Sequence, residues 1–168
     1  MLVRCFRLTA LAAAVCVGPA AVLAQTDFSA QLDLQQEVPA PPPATGTATL
    51  ALNDDETELS YEIRVTGLPN ISAAHFHQAA MGVVGGVVHP LAGTMADGVW
   101  VAQGVWSSAD ATGPLTAELV AQLRAGNLYV NIHTPDYPGG EIRGQILTGG
   151  PTPVGRTSWG QVRAGVDR

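Results

Sequence analysis

Apolar and polar residues alternate one by one along most of this chain, which is the period of strands with one buried face. In FSAQLDL the alternation places Phe28, Ala30, Leu32 and Leu34 together. In TATLALNDDETELSYEIRVTGLP two runs of strand formers flank the polar turn Asn53-Asp54-Asp55-Glu56, which predicts a hairpin. Its second arm sets Leu59, Tyr61, Ile63 and Val65 on one face and Ser60, Glu62 and Arg64 on the other. Further strands are expected at ISAAHFHQ, GGVVHPL, VWVAQGVW, NLYVNIHT and GEIRGQILT. Even spacing puts Trp100 and Trp106 on one face, the core face by their size. In NLYVNIHT, Leu128, Val130 and Ile132 face the core, while Tyr129, Asn131 and His133 face away from it.

One segment breaks the period of two. TGPLTAELVAQLRAG carries Leu115, Leu119 and Leu123 four apart with Val120 beside them, predicting a short helix near 115–125. Thr116 suits its N-cap, Glu118 its first turn and Gly126 its stop. Pro41-Pro42-Pro43 lacks backbone donors and reads as a loop. About seven or eight short strands with turn signals between them predict an all-β, antiparallel Greek-key β-sandwich or flattened barrel. A single antiparallel sheet with the helix packed on it is the alternative.

The two ends read differently. Arg4 and Arg7, the apolar run Leu8 to Val17 and Val22-Leu23-Ala24 form the pattern of a secretory signal peptide over 1–24. An uncleaved anchor fits less well, because Gly18-Pro19 breaks a run already short of the roughly 20 residues a span needs. A lipid-attachment site at Cys16 is disfavoured by Val15 before it. Cleavage after Ala24 leaves 144 of the 168 residues, enough for one domain with a core. It removes both cysteines, Cys5 and Cys16, and takes the formal charge from −6 to −8. An acidic chain without lysine argues against nucleic acid or an anionic membrane surface as partner. No later segment is apolar for long enough to span a bilayer. The domain therefore runs 25–148, and 149–168, rich in Gly, Pro and Arg, reads as a poorly ordered tail. The expected location is secreted or periplasmic.

The chemistry lies in the histidines. Residues i and i+2 of a strand share a face, so His75 and His77 point together, opposite to Ala74 and Phe76. Phe76 belongs to the core, which turns the two imidazoles away from it. His133 also faces away from the core, and His89 follows a glycine-rich loop that folds back over the strand of His75 and His77. Convergence of all four at one rim would make a metal site suited to Cu(II) first and Zn(II) second. In the other reading His89 caps a strand and His133 bonds a loop carbonyl, without metal. Other catalytic patterns are missing: the chain has no Gly-x-Ser-x-Gly, no phosphate loop and no cysteine nucleophile after cleavage. Asp136 and Glu141 flank the Gly139-Gly140 turn, where a carboxylate pair for acid–base work is one reading and solvated turn formers the commoner one. Glu141 and Arg143 suggest a surface ion pair.

Two stretches, AAHFHQAAMGVVGGVVHPL and especially LRAGNLYVNIHTPDYPGGEIRGQI, resemble the CHRD domain, named after chordin and found in many secreted bacterial proteins. The resemblance covers about 27–148 and implies an extracytoplasmic β-domain. Gln78-Ala79-Ala80 stands where that family more often has a Gly-Pro-Ala-like turn. A more distant resemblance is to copper/zinc superoxide dismutase. It implies copper ligands at His75, His77, His89 and His133 and an anion-guiding arginine at Arg143. The zinc-site histidines, the long zinc loop and the loop disulfide of that enzyme have no counterpart.

Two functional expectations follow. One is a secreted binding module without a catalytic role, taking an unknown protein or surface ligand and carrying a histidine metal site. The other is a copper-binding, dismutase-like redox protein.

Overall fold

The computed structural model describes residues 25–33 and 44–149. The expected signal peptide, the proline loop, Leu34 and the tail beyond 149 lie outside them. Among the described residues, the elements in chain order are β1 (Thr26–Leu32), β2 (Thr45–Leu52), β3 (Glu58–Thr66), β4 (Ala73–Gln78), β5 (Gly86–Pro90) and β6 (Gly93–Ala96). They continue with β7 (Val99–Ser107), α1 (Ala117–Arg124), β8 (Leu128–His133), β9 (Ile142–Gln145) and β10 (Leu147–Thr148). The strands make two open antiparallel sheets, ordered β10-β1-β2-β3-β7-β6 and β5-β4-β8-β9. This is the sandwich, not the flattened barrel.

The alternation in the sequence supplies the core. Phe28, Ala30, Leu32, Leu50, Leu52, Leu59, Ile63, Val65 and Trp106 come from the larger sheet. Ala74, Phe76, Leu128, Val130, Ile132 and Ile142 come from the smaller one, and all are buried in one cluster. The β2–β3 hairpin turns where expected. The Asn53 side-chain oxygen accepts from the amides of Thr57 (2.9 Å) and Glu58 (3.0 Å), so the loop closes on its own first residue. The helix also forms as read. Thr116 Oγ1 accepts from the Leu119 amide at 3.3 Å, Val120 and Leu123 are buried, and Gly126 stops the helix at φ 72°. Among the described residues no helix is long and apolar enough to cross a membrane.

Two features differ from expectation. The edge strand β6 was not anticipated, since all four of its residues are exposed and carry no apolar alternation. Gly93 in it is required by its neighbour: a Cβ there would lie 2.4 Å from the Trp100 ring. The second feature matters more. Strand β8 is buried at all six positions. Tyr129, Asn131 and His133 do face away from the core, but into a second buried layer. The segment 79–85 and the segment 134–141 fold over that outer face, and its polar side chains bond their backbones.

Candidate metal centre

Antiparallel register decides which histidines meet. Strand β4 pairs with β8 so that Ala73 faces His133, His75 faces Asn131 and His77 faces Tyr129. His133 is therefore the diagonal neighbour of His75 on the outer face, within reach of long side chains. His75 Nδ1 and His133 Nε2 are 3.1 Å apart. Ring centroids are separated by 5.0 Å for His75–His133, 5.6 Å for His75–His77 and 5.7 Å for His77–His133. One ring nitrogen of each lies within 4.8 Å of the others. His77 and His133 are buried, and His75 is half-buried.

The covering segments set the tautomers. His77 Nδ1 donates to the Gly85 carbonyl at 3.0 Å, and His133 Nδ1 donates to the Pro138 carbonyl at 3.0 Å. A carbonyl only accepts, so each ring keeps its proton on Nδ1 and offers the Nε2 lone pair. Metal-binding imidazoles are commonly held this way, by a backbone carbonyl on the nitrogen that does not bind. His77 Nε2 is buried without a hydrogen-bond partner, and a desolvated acceptor left unsatisfied costs about 1–3 kcal/mol. Two nitrogens at about 2.0–2.1 Å from one tetrahedral ion stand about 3.3–3.4 Å apart. In the metal-free chain the 3.1 Å contact between His75 and His133 is a hydrogen bond, with His75 Nδ1 donating to His133 Nε2. Its length is close to that nitrogen–nitrogen separation, and an ion held there would take the place of the shared proton. Burial first, then the neighbouring His133 and His77, push the pKa of His75 below the ordinary histidine value, which favours the neutral, ligating ring. The three residues can hold a metal ion.

The sequence pattern of the CHRD domain matches residues 28–146, from β1 to the end of the β9 region. The chain belongs to the CHRD-domain family. No curated protein and no solved structure matches it. The three histidines and both covering segments lie within the CHRD domain.

His89 does not join them. The β4–β5 ladder pairs Phe76 with His89, then slips by a bulge so that His77 pairs with Val87. His89 therefore shares the side of Phe76, toward the core. Its ring stacks on Trp106 at 4.9 Å and lies 6.1 Å from Phe76, and its Nδ1 is 3.4 Å from the Gly113 carbonyl. Burial lowers its pKa, against the opposing effects of that carbonyl and of Asp110. The expected four-histidine convergence is thus corrected to three, and the dismutase-like ligand set loses a member. The reason is register, since one residue of slip exchanges the faces of a strand.

Arg143 is also placed differently from either expectation. It is 1 % exposed, so its guanidinium is not presented to a dissolved anion, and Glu141 is buried as well. The surface ion pair is replaced by two internal anchors. Arg143 donates to the carbonyls of Val83 (2.9 Å) and Ala80 (3.3 Å), while Glu141 accepts from the Thr134 hydroxyl at 2.5 Å. Asp136 is exposed, as a turn former should be. Sequence reasoning missed Tyr129, Asn131, Gln145 and Gly85 as parts of the CHRD domain's polar layer. The signal available was the run of polar residues sharing the parity of His133 and Arg143.

Proposed function

We propose that this CHRD domain is an extracytoplasmic binding module that holds one transition-metal ion among His75, His77 and His133, copper first and zinc second. The observation that carries the reading is His77 Nε2. It is a buried acceptor without a hydrogen-bond partner, beside two other imidazoles, with its tautomer held by Gly85. Imidazole suits both ions, and three nitrogens leave further coordination to solvent or another ligand. The signal-like sequence over 1–24 supports export. The reading is one of binding rather than turnover. The chain is acidic overall, and Arg143, the arginine of the same sheet, is covered rather than presented to solvent.

The test is calorimetric titration of metal-free mature protein with Cu(II) and with Zn(II), together with electron paramagnetic resonance of the copper form. Binding of one ion per chain, with nitrogen hyperfine structure from imidazoles, is expected. Absence of binding tighter than micromolar for both ions overturns the proposal.

A second reading, capture of a protein or surface ligand, draws on Met81, Val83, Val84 and Val87. These apolar side chains are exposed around a segment whose backbone is tied down by Arg143, Tyr129 and His77.

A further inference from the structure

Behind His77 stands a column of side chains that the metal reading does not by itself require. The ring of Tyr129 stacks on His77, with centroids 5.0 Å apart and planes 20° from parallel. The Arg143 guanidinium carbon sits 3.5 Å from the centroid of the same Tyr129 ring. Strand β8 runs between β4 and β9, so His77 and Arg143 approach Tyr129 from opposite sides. Imidazole, phenol and guanidinium thus form one stack across three strands, in a region with little water.

The same three residues also grip one segment of backbone. Arg143 donates to Ala80 and Val83, the Tyr129 hydroxyl accepts from the Gly85 amide at 3.0 Å, and the Gly85 carbonyl accepts from His77 Nδ1. Gly85 has no substitute there, because a Cβ would lie 1.9 Å from the Gln78 carbonyl oxygen. Movement of Gly85 would release the His77 proton to either nitrogen and let the ring turn.

We infer that Arg143 and Tyr129 are positioning residues that hold His77 in its metal-ready tautomer and orientation by clamping Gly85. The inference rests on the metal reading above and adds which residues make the ligand competent. Neither side chain is among the three proposed ligands. Arg143 acts through the segment 80–85 and the Tyr129 face, and Tyr129 acts through its hydroxyl on Gly85 and its ring on His77.

Tyr129→Phe tests this most cleanly, since it keeps the stacked ring and removes the bond to Gly85. Two measurements separate the clamp from the metal. Nitrogen-15 NMR of the metal-free protein reads the His77 tautomer directly, and calorimetry reads Cu(II) affinity. Wild-type His77 should be protonated at Nδ1 alone. Tyr129→Phe should show exchange between tautomers and bind copper roughly 10–100-fold more weakly, the usual effect of losing a residue that orients a ligand. Arg143→Lys, which keeps the charge without the planar fork, should move both readouts the same way. If it does not fold, Tyr129→Phe decides. A Tyr129→Phe chain with His77 still protonated only at Nδ1 and with wild-type affinity overturns the clamp alone. A wild-type chain that binds no metal overturns the metal reading and with it the role inferred for the clamp.

Discussion

Replacing His75 separates the metal reading from a structural role for these histidines more sharply than replacing His77 or His133. The other two rings each anchor a covering segment, His77 through Gly85 and His133 through Pro138, so their loss damages fold and site together. His75 is half-buried, and its hydrogen bond is to His133. His75→Ala should therefore change the metal-free stability by no more than about 1 kcal/mol, the net worth of one hydrogen bond. Its effect on the metal-bound form is larger. An ion present at about 100 times its Kd stabilises a fold by about 2.7 kcal/mol, which for a domain of this size raises Tm by roughly 5–20 °C. Losing one of three ligands and weakening binding by about 100-fold brings the same ion concentration down to its Kd. Only about 0.4 kcal/mol of stabilisation then remains. His89→Ala is the control. It removes a ring stacked on Trp106 and should cost about 1–3 kcal/mol without metal, but should keep the full thermal shift on adding metal. The assay is thermal unfolding of both variants with and without Cu(II). A full shift in His75→Ala, or a lost shift in His89→Ala, refutes the assignment of the ligands.

Two further outcomes follow. His75 and His89 both have pKa values below the unfolded histidine value, His75 through burial and then its neighbouring histidines, His89 through burial. Such groups bind fewer protons folded than unfolded, so the stability they contribute is complete above about pH 6.5 and is lost as pH falls through the folded pKa. Metal-free protein should therefore hold its Tm down to about pH 6.5 and lose it below that, less steeply in His89→Ala, and a profile that stays flat to about pH 5 contradicts the burial argument. Gly85→Ala places a Cβ against the Gln78 carbonyl, so it should destabilise the metal-free fold by about 1–3 kcal/mol and weaken copper binding at the same time. Wild-type unfolding and affinity in this variant would show that the backbone at 85 does not hold His77.

What the sequence determined by itself was local. Alternation at period two assigned the faces of β1, β3, β4, β7 and β8, because adjacent side chains on an extended backbone must point to opposite sides. The same parity turned His75, His77 and His133 away from Phe76, Val130 and Ile132. The helix from Thr116 to Gly126 was legible because its cap, apolar spacing and stop all lie within a dozen residues. The CHRD resemblance was legible in the run from Leu123 to Ile146, and the match over 28–146 agrees with it. Only the tertiary structure decided which faces were covered and which strands stood opposite one another. Register between β4 and β5 sent His89 to the core side, and register between β4 and β8 set His133 diagonal to His75. Closure of two segments over the outer sheet buried Tyr129, Asn131 and Arg143, which the pattern left as a plain polar face. Strand pairing and loop closure depend on residues tens of positions apart, and a period measured within one strand carries no information about either.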